Sequence, residues 1–137
     1  IFALRGAELL IFPSAIGAER DAPELDTSEA WQVQMRGQAI TNGVFVAAVN
    51  RVTPPGGFAE PGPLGGQAFF GRSFVAGPSG EVLGDAGSRA AAVLTVDVDL
   101  QQVRRWRELF PLLRCRRPAE YQLLTEEKPE PHHHSRL

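Results

Sequence analysis

The sequence predicts a mixed α/β domain, on three observations. A helix followed by a buried strand occurs twice in the first 50 residues, a turn signal joins two strand-like runs, and a charged helical pattern follows near the end. The order therefore predicts one mixed sheet with flanking helices in a chain of 137 residues, the length of a single domain.

The first helix–strand unit opens the chain. Residues 1–5 have the pattern of the last turns of a helix, and Gly6 suits the left-handed position that closes one. The apolar run of residues 9–12, ended by Pro13, is typical of a buried strand. Because the only methionine is Met35, we expect the chain to be a piece of a longer protein.

The second unit begins with a capping box. Asp26 and Glu29 have the spacing of such a box, ahead of an apolar helical stripe that ends at Asn42 and Gly43. Residues 44–49 are β-branched and aromatic enough to form a second buried strand. The stripe consists of Trp31, Met35 and Ala39.

Proline and glycine dominate residues 52–67, which predicts a long loop. Two interpretations remain open: a surface flap over a pocket, or a tolerated insertion. Residues 74–83 then predict a hairpin, with Pro78 at the second position of its turn and Gly80 at the fourth.

The remainder of the chain predicts one more strand and one more helix. Residues 91–98, Ala-Ala-Val-Leu-Thr-Val-Asp-Val, predict another strand. Asp99 is expected to cap the helix, with Gln102 reaching back to it, and Pro111 ends the pattern.

Composition excludes several classes of function. A net charge of −2 and a pI near 5.9 argue against nucleic acid and anionic membranes as partners. A single cysteine cannot form an internal disulfide, and no apolar stretch is long enough to cross a bilayer, so we expect a cytoplasmic protein. Three adjacent histidines at 132–134 are interpreted as solvated, and no metal or organic cofactor is expected.

Four motifs, in this order and at this spacing, resemble the carbon–nitrogen hydrolase (nitrilase) superfamily. The resemblance covers residues 1–124, roughly the C-terminal half of a complete member, and leaves 125–137 as a flexible tail. It implies a portion of a four-layer α-β-β-α sandwich. The motifs are Arg5-Gly6-Ala7-Glu8, Pro13-Ser14-Ala15-Ile16-Gly17, Asn50-Arg51, and Phe70-Gly71-Arg72-Ser73-Phe74 leading into Ala76-Gly77-Pro78-Ser79-Gly80-Glu81.

Within the superfamily, the chain is similar to the N-carbamoylputrescine amidase branch. The residues responsible are Ala15-Ile16-Gly17 followed by Glu19, and Arg116-Arg117-Pro118 with Tyr121. The resemblance implies hydrolysis of N-carbamoylputrescine to putrescine, carbon dioxide and ammonia. Two alternatives remain: another carbamoyl amine or amide as substrate, or a non-catalytic interaction module of the same fold.

The superfamily's catalytic cysteine, glutamate and lysine are expected before Ile1, so no catalytic residue is predicted in this chain. Cys115 lies between Arg114 and Arg116, and cations favour a thiolate. No histidine precedes the terminal tail to act as its base. We therefore interpret Cys115 as a bystander and expect the chain alone to be inactive.

The resemblance places candidate substrate-binding residues after the first strand: Ser14, Ala15, Ile16 and Gly17 as a pocket wall, and Glu19 as the acid that pairs with the ammonium of the substrate. Glu19 could instead be a solvated loop acid beside Arg20. Asn50 is a further candidate, which either bonds a pocket loop or closes the second strand in a turn. The resemblance also implies a homo-oligomer formed through residues 99–124.

Overall fold

The computed structural model describes residues 1–18, 22, 24–53 and 68–126. The described residues form four strands, two α-helices and two 3₁₀ helices. In chain order these are a 3₁₀ turn at Ala3–Arg5, β1 at Leu9–Ser14, α1 at Ser28–Asn42, β2 at Phe45–Asn50, β3 at Phe74–Ala76, β4 at Val82–Asp85, α2 at Gln101–Leu109 and a 3₁₀ helix at Pro118–Leu124.

The four strands form one mixed sheet in the order β1-β2-β3-β4. β1 and β2 run parallel, because α1 carries the chain back between them, whereas β2–β3 and β3–β4 are antiparallel. In the hairpin turn, the N–H of Gly80 donates to the carbonyl of Gly77 at 2.9 Å, with Pro78 at the second position as predicted. The predicted fold class, a mixed α/β sheet with helices, is confirmed.

Two predicted helix ends are also confirmed. Gly6 closes the first turn with a φ of 96°, and Gly43 closes α1 with a φ of 56°. Side chains with a Cβ are strained in this left-handed region, so both positions favour glycine.

One face of the sheet and one face of α1 form the core. Trp31 contacts Phe74 edge-to-face, with 5.9 Å between ring centroids. Leu10 and Phe12 of β1 pack against the same cluster and are half-buried. The buried residues of this cluster are Ala3, Trp31, Met35, Ala39, Val44, Val46, Ala48, Phe74 and Ala76.

The opposite face of the sheet is partly open within the described residues. Leu9, Ile11 and Val49 lie on it and are 42%, 63% and 51% exposed. A sheet with one covered and one open apolar face corresponds to one sheet layer and one helix layer of a sandwich. The described residues therefore form part of the predicted four-layer architecture.

The helix α2 is fastened to the carboxyl end of α1. Trp106 donates from Nε1 to the carbonyl of Ile40 at 3.1 Å, and Arg107 donates from Nε to the carbonyl of Asn42 at 3.3 Å. Arg107 also donates from Nη2 to the carbonyl of Ala7 at 2.8 Å. The carbonyls of Ile40 and Asn42 lie in the last turn of α1, and that of Ala7 lies just before β1. The carbonyls of a last helical turn have no partner within their own helix.

The predicted strand at 91–98 is wrong: no described residue there is in a strand. Val93 is 96% exposed, whereas Leu94 and Val96 are half-buried because they pack over Gly84 of β4, which has no side chain. This run thus packs over a glycine of β4 rather than joining a hydrogen-bonded ladder.

Both predicted caps differ in detail. Glu29 pairs with Arg72 instead of reaching back, so the capping box is not formed. At α2, Asp99 accepts from the N–H of Gln101 at 2.9 Å, and Gln102 reaches the carbonyl of Asp99 through its backbone N–H rather than its side chain. The helices nevertheless begin within two residues of the predicted caps.

Several predictions concern residues outside the described ranges. The loop predicted at 52–67 is described only at Val52 and Thr53. The tail predicted at 125–137 is described only at Thr125 and Glu126, so the histidines at 132–134 also lie outside the described residues.

Candidate functional site

The two parallel strands end at the same edge of the sheet. Ser14, the last residue of β1, is the register partner of Asn50, the last residue of β2. The carbonyl of Ser14 also accepts the N–H of Arg51 at 3.1 Å. In α/β sheets, ligands bind outside the carboxyl ends of parallel strands, so this edge is the candidate site.

Asn50 links this edge to the chain that follows β1. Its Oδ1 accepts the N–H of Ile16 at 2.8 Å, and its Nδ2 donates to the carbonyls of Ile16 at 2.9 Å and Gly71 at 3.0 Å. The side chain is buried, with Asn50 only 8% exposed. The side chain of Asn50 therefore bonds to the loop after β1.

Residues 68–73 lie between the chain after β1 and the chain after β2, and bond to both. On one side, Phe70 donates to the carbonyl of Ile16 at 3.1 Å, and Ala18 donates to that of Ala68 at 2.8 Å. On the other side, the N–H of Gly71 donates to the carbonyl of Arg51 at 2.9 Å. The loop at 14–17 is thus fixed along its length.

The predicted wall residues do not all face the same way. Ala15 is exposed and Ser14 is half-buried, whereas the side chain of Ile16 packs against the core. Gly17 is buried, and a Cβ there would overlap the carbonyl oxygen of Ala68. Glu19 lies outside the described residues. The geometry therefore brings residues 14–17 and Asn50 together.

A cavity of about 340 Å³ adjoins the carboxyl end of β2. This volume is within the range of small-molecule pockets. Its lining is made of short side chains and backbone, with Asn50 and Arg51 as the larger polar members. The other lining residues are Val49, Val52, Gly71, Ser73, Ala86, Gly87, Ala90, Ala91 and Ala92.

Arg72 fastens the same segment to the start of α1. It is the one residue other than glycine with a positive φ, 56°, among the described residues. Its guanidinium donates to Ser28 Oγ at 2.6 Å, to Glu29 at 2.8 Å, and to the side-chain oxygen of Gln32. Gln32 in turn donates to the carbonyl of Arg72 at 3.3 Å.

One carboxyl group at this helix start is perturbed. The hydroxyl and the backbone N–H of Ser28 bond to Asp26 and lower its pKa, with the positive charge of Arg72 adding to the effect. Hydrogen bonds to the charged form of a carboxylate favour that form. Asp26 thus stays ionised here at pH values where an ordinary aspartate begins to protonate.

Sequence reasoning did not assign a role to Gly71, Arg72 or Ser73, although their motif supported the resemblance. The signal that could have found them is a glycine followed by polar residues just before a strand, and Gly71 has a positive φ of 64°. Ser73 Oγ accepts from the N–H of Asn50 at 2.9 Å and donates to its carbonyl at 3.1 Å, continuing the pairing of β2 beyond the ladder.

Cys115 is exposed. Within the part of the chain that the structure describes, no group of three or more histidine, cysteine or acidic side chains could bind a metal. No helix in the same ranges is both long and apolar enough to span a bilayer.

The comparisons with known proteins agree with this geometry. A model of the carbon–nitrogen hydrolase family matches residues 1–108. The chain is 38% identical over 121 residues to N-carbamoylputrescine amidase of Arabidopsis thaliana, which is 88% of this chain and 40% of the relative. It is 31% identical to the citrullinase of Francisella tularensis, over 88% of this chain and 41% of the relative.

A solved structure is also similar. The carbon–nitrogen hydrolase from Helicobacter pylori G27 superposes with a TM-score of 0.79 and 40% identity, over 93% of this chain and 44% of that one. The chain thus spans about two fifths of the length of the curated relatives it matches. Family model, sequence identity and fold agree: this chain belongs to the carbon–nitrogen hydrolase family.

Proposed function

We propose that this chain is the C-terminal part of an amidase that hydrolyses N-carbamoylputrescine to putrescine, carbon dioxide and ammonia. The observation that supports a slender substrate best is the loop after β1, where the exposed residue is Ala15 and Gly17 packs directly on backbone. A short side chain at the carboxyl edge leaves room for an alkyl chain. The 38% identity to plant N-carbamoylputrescine amidases supports the same substrate.

The chemistry of this proposal depends on residues of a preceding segment. In the superfamily pattern, a cysteine thiolate attacks the ureido carbon, the C–N bond to the terminal amide nitrogen breaks, and that nitrogen leaves as ammonia after gaining a proton. Water then cleaves the thioester, and the resulting carbamate separates into amine and carbon dioxide. We propose that this chain contributes the pocket wall and, without the cysteine, glutamate and lysine, releases no ammonia by itself.

Glu19 is proposed to bind the distal ammonium of the substrate. A carboxylate at the far end of a water-poor slot forms a strong charge-assisted hydrogen bond with an ammonium. This proposal comes from the sequence and from the resemblance, because Glu19 lies outside the described residues.

The substrate is tested with three ureido compounds on the complete enzyme that contains this chain. N-carbamoylputrescine has a terminal ammonium, N-butylurea has the same alkyl chain without it, and citrulline adds a carboxylate beside the ammonium. We expect ammonia release to be fastest, as kcat/KM, with N-carbamoylputrescine. A preference for citrulline would reject the proposed substrate.

Glu19→Gln separates a pocket role from a surface role. Losing one partner of a desolvated charge pair costs a few kcal/mol, on the order of a hundredfold or more in kcat/KM. Loss of an exposed pair costs below about 1 kcal/mol. We expect the larger loss with N-carbamoylputrescine and almost none with N-butylurea, and Glu24→Gln, an exposed acid of the same connection, is the matched control.

A second candidate is hydrolysis of a carbamoyl amino acid, which the 31% identity to a citrullinase favours. A pocket for such a substrate needs a cation for its carboxylate, and no arginine precedes Arg20 in the loop after β1. A non-catalytic module of this fold is the third candidate, and ammonia release from any ureido substrate by the complete protein would exclude it.

We further propose that the complete protein is cytoplasmic and forms a homo-oligomer through residues 99–124. This segment exposes Leu109 and Phe110 by 69% and 45%, and Leu123 and Leu124 by 73% and 82%. Exposed apolar side chains at this density are typical of an interface. Light scattering on the complete protein and on a Leu123→Ser variant tests this assembly.

A further inference from the structure

The carboxamide of Asn50 has no free hydrogen-bond donor for a ligand. Its two N–H groups go to the carbonyls of Ile16 and Gly71, and its oxygen accepts from Ile16. An amide has two donors and one carbonyl acceptor, so both donors are satisfied inside the protein. Rotating the amide by half a turn would place its oxygen against two carbonyl oxygens, so the contacts also fix its orientation.

These three bonds join separate parts of the chain at one buried point. Ile16 belongs to the loop after β1, Asn50 ends β2, and Gly71 lies in the segment that enters β3. We call the Asn50 side chain and its contacts with Ile16 and Gly71 the strand-end clamp. Removing the carboxamide would leave a buried N–H and two carbonyls with fewer hydrogen-bond partners, which lowers the stability of a buried region.

Ser73 provides a neighbouring contact that does not involve the loop. Among the residues that the structure describes, its hydroxyl bonds only to the backbone N–H and carbonyl of Asn50, at 2.9 and 3.1 Å. It therefore ties β2 to the chain before β3 and leaves Ile16 untouched. Truncating Ser73 should weaken the same region without releasing the loop.

We propose that Asn50 is a positioning residue of the substrate pocket, which sets the place of residues 14–17 through the strand-end clamp and donates no hydrogen bond to the substrate. The inference rests on the proposed function, in which residues 14–17 line the substrate pocket. Residues 14–17 then contact the substrate, and Asn50 affects binding by holding them in place.

The first test needs no substrate. Amide hydrogen exchange is measured on the complete protein that contains this chain and on its Asn50→Ala and Ser73→Ala variants, following Ile16 against Val46 in the ladder of β2. We expect Asn50→Ala to speed exchange at Ile16 relative to Val46 on the order of tenfold to a hundredfold. Ser73→Ala should leave that ratio unchanged. An unchanged ratio in Asn50→Ala would overturn the proposal.

The second test uses the complete enzyme and separates KM from kcat. We expect Asn50→Ala to raise KM for N-carbamoylputrescine on the order of tenfold, because the wall that binds the substrate is no longer fixed. Thr41→Ala on α1, which removes a hydrogen bond to the carbonyl of Gly37 outside the cavity, should leave KM unchanged. Faster exchange at Ile16 without a change in KM would overturn the positioning role.

Gly17→Ala displaces the loop without altering Asn50, so the proposal stays testable if Asn50→Ala does not fold. The new Cβ would overlap the carbonyl of Ala68, and we expect the same rise in KM. Gly37→Ala is the control, since a Cβ at this helical position meets no atom within 4 Å. If the unmodified enzyme rejects N-carbamoylputrescine, the proposed function fails, and KM is measured with the ureido compound that it does hydrolyse.

Discussion

Arg107 of α2 caps the carboxyl end of α1 by donating to the carbonyl of Asn42, 3.3 Å away. The same guanidinium donates to the carbonyl of Ala7 just before β1. One side chain of α2 therefore joins this helix to the end of α1 and to the start of β1. A cation at a helix C-terminus also interacts favourably with the helix dipole.

Replacing Arg107 should destabilise the fold at this junction. We expect Arg107→Ala to lower the free energy of unfolding by about 1–3 kcal/mol, because two carbonyls lose a charged donor. Urea titration followed by circular dichroism measures the loss. Arg104→Ala, on the exposed side of the same helix, should stay within about 0.5 kcal/mol, and an equal loss in both variants would contradict the cap.

Arg72 has a strained backbone conformation and a side chain that donates three hydrogen bonds to α1. With φ at 56°, an alanine there keeps the strain and loses the contacts to Ser28, Glu29 and Gln32, whereas a glycine loses the same contacts but relieves the strain. We expect Arg72→Ala to be less stable than Arg72→Gly by about 1 kcal/mol. Equal unfolding midpoints would show that the strain is absent in solution.

The open face of the sheet should make the isolated chain associate. Ile11 is 63% exposed on that face, and apolar patches of this kind favour association. We expect Ile11→Ser to reduce dye binding and light scattering at little cost in stability. Val46→Ser, on the covered face, should instead destabilise the fold. A dilute monomer of the unmodified chain that binds no dye would contradict this prediction.

Acid should weaken the start of α1. The folded pKa of Asp26 is depressed, so its contribution to stability is complete above the unfolded pKa and is lost as the pH falls through the folded value. The expected window thus begins near pH 4 and extends to lower pH. Asp26→Asn should flatten the pH dependence of the unfolding midpoint in this window, and NMR titration of the carboxyl carbon should report the depressed pKa directly.

Local patterns predicted most of the fold. The glycines that end the first turn and α1, and the proline and glycine of the hairpin, act through backbone conformations that the sequence alone specifies. The predicted strand at 91–98 was wrong because a largely apolar run does not distinguish a hydrogen-bonded strand from side chains that pack over a glycine such as Gly84. The residues with which a strand pairs lie far away in the sequence, so no local pattern identifies them.

The candidate site was predictable in position but not in its contacts. Residues 14–17 and Asn50 were selected through the resemblance, and the strand register brings their elements to one edge. Residues 68–73 determine these contacts. Their path lets Asn50 use both of its donors, and it brings Arg72 to Ser28 at the start of α1. That path depends on tertiary contacts between parts of the chain more than 20 residues apart.

The parallel pairing of β1 with β2 has a consequence for the order of folding. Leu9 must meet Phe45 across the whole crossover, whereas Ala76 meets Val82 across one tight turn. Closing the longer loop costs more chain entropy before any contact compensates it, so the hairpin is expected to form early and the parallel pair late. The carboxyl edge where Ser14 joins Asn50 exists only after that slow step. The candidate site at this edge would therefore form later than the hairpin.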